Sequence, residues 1–365
     1  MIGSHAPCSA PIAHALRRGR GAVSNVSGRF ERCSRSPVFD EATEFEDLAP
    51  FRTDVAVERA RTIITRNDSP DLGFDRSINP YRGCEHGCSY CYARPSHAYL
   101  GLSAGLDFET RLFAKPNAAE LLERELSEPG YQPKLIALGA NTDPYQPIER
   151  DWKITRAILQ VLAEARHPVG IVTKSALVMR DIDILAPMAA QGLVKVALSI
   201  TTLDRSLARA MEPRAATPSR RLEAIRQLSA AGIPVSVLMA PVIPALTDHE
   251  IEQVLTAARA AGAVEAGYIL LRLPLEVREV FSQWLVSHAP DKARHVLSLI
   301  RSTRGGKDYD SRFFARQTGE GPFAWLIGRR FELAAERLGF ARKRMRLRTD
   351  LFRPPRGGTG QLSLF

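Results

Sequence analysis

After Cys91 the sequence has no cysteine, and its 365 residues hold only five: Cys8, Cys33, Cys84, Cys88 and Cys91. Three of them crowd into one short stretch, where a disulfide between two would strand the third. This argues against a disulfide-stapled secreted fold and for a reducing compartment. No run approaches the roughly 18 apolar residues that a membrane span needs, and the N-terminus lacks the apolar core of a signal peptide. These absences predict a cytoplasmic protein with no membrane partner. Residues 1–30 contain no acid and several arginines, a composition that organelle transit peptides also use. Acids are in deficit overall, 40 Asp and Glu against 50 Lys and Arg, for a formal charge of +10 and a pI near 9.6. That balance favours polyanionic partners, nucleic acid first among them.

With 45% hydrophobic residues, the chain can bury a full core. Residues 1–47 are rich in Gly, Ser, Pro and Arg without apolar periodicity, and read as a basic, disordered arm. From there to residue 275, short aliphatic runs alternate with helix-period segments. The runs lie at 135–138, 169–172, 194–198, 235–238 and 268–271, with a further strand around Ile78. The helical patterns span about Ala118 to Ser127, Lys153 to Ala165, Ile182 to Gln191, Ser219 to Ala231 and Asp248 to Ala261, and Gly192, Gly232 and Gly262 stop three of them. Six strand-helix units predict an α/β fold, a parallel partial (β/α)6 barrel rather than a closed eightfold one. Residues 276–350 read as a helical extension closing its open side, and 351–365 as a flexible tail.

The chemistry-bearing stretch is Cys84-Glu85-His86-Gly87-Cys88-Ser89-Tyr90-Cys91, three cysteines spaced C-x3-C-x2-C. A [4Fe-4S] cluster is normally held by four thiolates, so three leave one iron free for another ligand. A zinc site would need a fourth donor, for which His86 is the nearby candidate, and no second Cys-x2-Cys pair follows. In parallel α/β folds ligands gather at the carboxyl ends of the strands. Counting the strand around Ile78 as the first, the polar residues there are Asn141, Thr142 and Asp143 after the second strand, Lys174 after the third and Ser199 after the fourth.

The C-x3-C-x-aromatic-C pattern, with Tyr90 as the aromatic, resembles the signature of the radical S-adenosylmethionine (SAM) enzymes. The flanking Asn79-Pro80-Tyr81-Arg82-Gly83 and Tyr92-Ala93-Arg94 look like the branch that contains spore photoproduct lyase and its uncharacterised relatives. The resemblance runs from about Phe74 to Leu273. It implies a six-unit partial barrel, a [4Fe-4S] cluster on Cys84, Cys88 and Cys91, and SAM chelated to the fourth iron. Reductive cleavage of SAM would give a 5'-deoxyadenosyl radical that abstracts hydrogen from substrate. The resemblance also implies SAM contacts from Tyr90, Asn141, Thr142, Lys174, Ser199 and Glu212, and an external electron donor of flavodoxin or ferredoxin type.

One departure concerns the return of hydrogen. The photoproduct lyase uses a further cysteine for this, and nothing after Cys91 can serve; Tyr145 is the substitute that the sequence offers. The basic run Arg342, Lys343, Arg344, Arg346 and Arg348 is a candidate phosphate-contacting surface. The final Gln361-Leu362-Ser363-Leu364-Phe365, after a glycine-rich spacer, resembles the bacterial sliding-clamp binding peptide, with Gln361, Leu362, Leu364 and Phe365 as its anchors. Together these features predict a radical SAM enzyme acting on DNA, in lesion repair. The alternatives are radical modification of a protein, RNA or metabolite, and a non-catalytic Fe-S or zinc factor associated with DNA.

Overall fold

The computed structural model describes residues 19–31 and 52–355. Ten strands form: β1 (Asp54–Val57), β2 (Ile64–Arg66), β3 (Arg76–Ile78), β4 (Tyr81–Arg82), β5 (Arg111–Ala114), β6 (Ile136–Leu138), β7 (Val169–Thr173), β8 (Val194–Ser199), β9 (Val235–Val242) and β10 (Glu265–Leu270). Seven make one sheet in the order β10-β9-β8-β7-β6-β3-β2. Within it β3 and β6 through β10 run parallel, as the six-unit expectation requires, and β2 pairs antiparallel with β3 at the edge. Neither that edge hairpin nor the small sheet β1-β5-β4 is announced by the sequence, because strands of two to four residues carry too few side chains to show a period.

The strands are apolar because helices cover them. Outside the sheet lie α1 (Ala118–Leu126), α2 (Ile154–Glu164), α3 (Ile182–Ala190), α4 (Pro218–Ala230) and α5 (Ile251–Ala260). Each presents an apolar stripe, such as Ile158, Leu159 and Leu162 of α2, to the same core as Val169, Ile171, Val196 and Val237 of the strands. Burying each such side chain contributes about 1.5–3 kcal/mol. β10 begins at Glu265, three residues before the apolar run that marks it, because the Glu265 carboxylate is satisfied there by the Ser236 hydroxyl at 3.0 Å and by Lys195 at 3.8 Å.

Residues 277–337 supply α6 (Val277–His288), α7 (Pro290–Ser302) and α8 (Pro322–Arg337). Phe281, Trp284, Leu285, Val296 and Ile300 join Leu271, Ile243 and the cysteine-loop residues Cys88 and Tyr90 in one apolar cluster. A single turn, Ala315–Thr318, packs on β10, and its Arg316 grips Asp71 in the β2–β3 connection, at 2.6 Å from Nε to Oδ2 and 2.5 Å between Nη2 and Oδ1. This ion pair ties one edge of the open sheet to the other.

Two boundary expectations are corrected. Within the arm read as disordered, Arg20 to Val23 are buried, because the Gly21 and Ala22 amides donate to the Glu109 carboxylate at 3.0 and 2.8 Å. At the other end the extension is helical only to Arg337. Residues 341–355 form an extended strap, and Phe352, assigned to the flexible tail, packs on Tyr131 and His167 at 5.4 and 5.5 Å between ring centroids. The clamp-like residues Gln361, Leu362, Leu364 and Phe365, and the thiols of Cys8 and Cys33, lie outside the described residues.

Candidate active site

The cysteine loop leaves β4 at the carboxyl end of the parallel strands, since β3 runs parallel to β6 and its chain continues into the loop. Its path is set by hydrogen bonds from every side. Cys84 donates its amide to Phe108 at 2.9 Å and Ser89 to Met211 at 2.9 Å, while the His86 carbonyl accepts from the Arg214 amide at 3.3 Å. Gly87 has a positive φ of 68°, and a Cβ there would lie 2.7 Å from Glu109 Oε2. Gly21 of the arm is equally constrained, because a Cβ would fall 1.7 Å from the Gly87 carbonyl oxygen. Glycine is required where the arm crosses the loop.

Two buried side chains that sequence reasoning passed over hold the loop's frame. Arg94, wholly buried, donates to the carbonyls of Cys88, Gly87, Ala104 and Gly105 at 2.9–3.2 Å and pairs with the buried Glu109. Gln146 accepts from the Glu85 amide at 2.8 Å and donates to the Gly83 carbonyl at 3.1 Å. Both lie close to motif residues in the chain, but a long polar residue in a loop gives no sequence signal of burial.

Cys84 and Cys88 are buried and Cys91 partly so, and none of the three is disulfide-bonded. Burial pushes all three thiols up, with Asp143 adding to the effect at Cys84 and Glu212 at Cys88; at Cys91 the Arg94 guanidinium opposes it. Thiolates here therefore need a positive group among them.

The strand-end residues converge on this loop. Lys174 Nζ donates to Ser199 Oγ at 2.6 Å and to the Ala240 carbonyl at 2.9 Å, stands 3.8 Å from Glu212 and lies 5.7 Å from the Tyr90 ring centroid. Tyr90 donates its hydroxyl to Glu212, which also takes a hydrogen bond from Thr201 at 2.7 Å and pairs with the buried Arg221. Burial opposes ionisation of Glu212, but Arg221 and Lys174 outweigh it and hold the carboxyl down at about 2. The site thus brings together Tyr90, Lys174, Ser199 and Glu212. Asn141 sits half-buried on the same rim with its amide on Asn79 Oδ1 at 3.1 Å. Thr142 is turned inward, its hydroxyl donated to the Tyr81 carbonyl at 2.9 Å, so it props β4.

One other expectation fails on geometry. Tyr145 is wholly buried, with its hydroxyl donated to Asp181 at 3.0 Å beside Arg180. It belongs to the barrel core rather than to the cluster of Cys88, Tyr90 and Leu271, so the structure does not bring this hydrogen-donor candidate into the site. His86 faces Asp143, at 3.3 Å from Nδ1 to Oδ2. Asp143 in turn accepts from the Lys174 amide and the Thr173 hydroxyl, both at 2.7 Å. The imidazole thus braces the loop against the strand end.

A family model described as the radical SAM superfamily matches residues 78–258. Uncharacterised proteins of Mycobacterium bovis and Mycobacterium tuberculosis are 36% identical over 272 residues, 74% of this chain and 77% of theirs. The chain belongs to the radical SAM superfamily. Among solved structures, a spore photoproduct lyase complexed with dinucleoside spore photoproduct matches with a TM-score of 0.55 at 15% identity, over 84% of this chain and 89% of that one. A second structure of that lyase gives 0.56 at 14% over the same shares, a likeness of fold. An uncharacterised protein of Methanocaldococcus jannaschii is 31% identical over 173 residues, 47% of this chain and 62% of its own.

As a radical SAM enzyme the protein binds a [4Fe-4S] cluster and SAM, cleaves SAM by a radical mechanism and draws on an external electron donor. The residues fit such a group. Cys84, Cys88 and Cys91 supply three free thiols on one loop, the donor type that a [4Fe-4S] cluster takes. The wholly buried Ser89 hydroxyl, between Cys88 and Tyr90 in the chain, has no hydrogen-bond partner among the described residues. Among these residues no helix is long and apolar enough to cross a membrane.

Proposed function

We propose that this enzyme directs its radical chemistry at DNA, in lesion repair, with Cys84, Cys88 and Cys91 holding the cluster and Lys174, Ser199 and Asn141 contacting SAM. One observation carries the cofactor assignment: Lys174, Ser199 and Glu212, from three separate segments, meet at Tyr90 of the cysteine loop. When bound, the cofactors supply one-electron cleavage of SAM and a carbon radical for hydrogen abstraction. The chain's own residues do the rest. Lys174 offers a cation to the SAM carboxylate, and Ser199 holds that cation in place. Glu212 stays ionised and fixes the Tyr90 ring through its hydroxyl, while Leu271, Leu273 and Ile243 exclude water on the α6 side.

The DNA reading is supported at the same rim. Tyr92, next to Cys91, is 43% exposed with the Arg272 guanidinium 4.8 Å from its ring centroid, and Arg272 lies just beyond β10. A part-exposed aromatic ring with a guanidinium over it suits a nucleobase and its phosphate. A flavodoxin- or ferredoxin-type protein would serve as donor. Anaerobic reconstitution with dithionite and SAM should yield 5'-deoxyadenosine, and Lys174→Ala should weaken SAM binding at least 10-fold (about 1.4 kcal/mol). Ultraviolet-damaged DNA should then give altered bases. Products from RNA, peptide or metabolite pools instead, with damaged and undamaged DNA untouched, would overturn the DNA assignment and leave the cofactor site standing.

A further inference from the structure

The basic run Arg342 to Arg348 does not lie at the mouth. Its strap is pinned to the opposite end of the barrel, at the points where the parallel strands begin. The Ala341 amide donates to Val264, just before β10, at 3.0 Å; Arg348 to Gly192, just before β8, at 2.9 Å; and Arg353 to Ala165, ahead of β7, at 2.9 Å. Lys195, near the start of β8, donates to the Met345 carbonyl at 3.0 Å, and Phe352 is anchored between Tyr131 and His167 ahead of β6 and β7. Backbone groups and one aromatic ring thus dock the strap. Its cationic side chains make none of these hydrogen bonds.

Five of the seven residues from Arg342 to Arg348 are basic, and no acid lies between Arg337 and Asp350. Arg342 pairs with Glu336 and Arg348 with Asp350, at the two ends of the run. Lys343, Arg344 and Arg346 between them are exposed and make no ion pair among the described residues. Holding three such charges on a fixed backbone costs self-repulsion that a polyanion would relieve. Alternate residues of an extended chain stand about 6.6 Å apart, close to the rise of two nucleotides along the duplex axis, about 6.8 Å.

We propose that the strap is a second nucleic-acid site, in which Lys343, Arg344 and Arg346 grip the phosphate backbone at the pole opposite the cysteine loop. The proposal rests on the reading of DNA as partner, but not on DNA being the substrate at the mouth. The six residues of β8, at about 3.3 Å each, put roughly 20 Å of protein between the two poles. The strap therefore supplies sequence-independent affinity from a segment that does not meet the reacting base.

The test is fluorescence anisotropy of the full-length holoenzyme with a labelled DNA duplex, titrated with NaCl. The comparison is wild type against the triple variant Lys343→Ala, Arg344→Ala, Arg346→Ala and the charge reversal Arg344→Glu, with thermal melting to show that each remains folded. The slope of log K on log salt should fall by about 2.7 in the triple variant, at about 0.9 for each phosphate no longer neutralised. The reversal should weaken binding at least 10-fold at low salt. Affinity and slope unchanged in both folded variants would overturn the proposal. So would loss of binding to phosphatidylserine vesicles or to polyglutamate with duplex binding intact, which would assign the strap to a membrane surface or an acidic protein. Damaged-DNA turnover separates the two readings: failure at the mouth leaves the strap's salt slope in place, and failure of the strap leaves turnover at saturating DNA in place.

Discussion

Replacing Arg94 by methionine should be among the most damaging single changes outside the ligand set. The side chain is wholly buried and makes five hydrogen bonds, four to main-chain carbonyls of the cysteine loop and the 104–105 turn and one to Glu109. Methionine keeps the length and removes every donor, and the buried Glu109 carboxylate loses its direct ion pair, keeping only the Gly21 and Ala22 amides and the nearby Arg20 charge. Removing one partner of a buried ion pair costs about 3–5 kcal/mol, and each carbonyl left without a donor adds up to about 1 kcal/mol before water and relaxation recover part of it. A loss on the order of 4 kcal/mol is expected, a large share of the roughly 5–15 kcal/mol that folded domains have. For a domain of this size it corresponds to a fall in Tm of about 10 °C. The assay is thermal and urea unfolding of reconstituted protein, with cluster absorbance followed in parallel. Adding Glu109→Leu removes the charge that lost its ion pair, so the double variant should lose less than the sum of the two single variants. Two results would refute the reasoning: a single variant melting within about a degree of wild type with full cluster loading, or a double variant as destabilised as the sum of its parts.

The Glu212 carboxyl, held at about 2 against an ordinary 4.5, contributes stability that is present above about pH 4.5 and lost as the pH falls toward 2. The amount is on the order of 3 kcal/mol, so urea unfolding between pH 6 and pH 3 should steepen through this group, and Glu212→Gln should flatten the profile; identical profiles would remove the role given to Arg221 and Lys174. Tyr145→Phe deletes a buried hydroxyl bonded to Asp181, so it should cost about 1–2 kcal/mol in unfolding while 5'-deoxyadenosine formation and product yield stay at wild-type levels; lost product with retained stability would restore Tyr145 as a hydrogen donor.

The cysteine loop was legible from the sequence because its chemistry depends on residue type and spacing within eight positions. Lys174 and Ser199 were legible more weakly, through the rule that parallel strands place their carboxyl ends together, and Glu212 only through the resemblance to the family. The strand and helix succession was readable for the same local reason, since each apolar run reports its own burial. Arg94, Glu109 and Gln146 were not readable, because a polar side chain acquires its role only when segments far apart in the chain arrive around it; Glu109, for instance, receives the amides of Gly21 and Ala22. Tyr145 shows the reverse error, a residue near the motifs in sequence that folding turns into the core. By itself the sequence determined the cofactor chemistry and the layered barrel, both written in short-range pattern. The tertiary structure alone decided which strand-end residues meet the thiols, that part of the N-terminal arm packs on the loop, and that the basic strap lies at the far pole, because each of these depends on where hydrogen bonds between distant segments close.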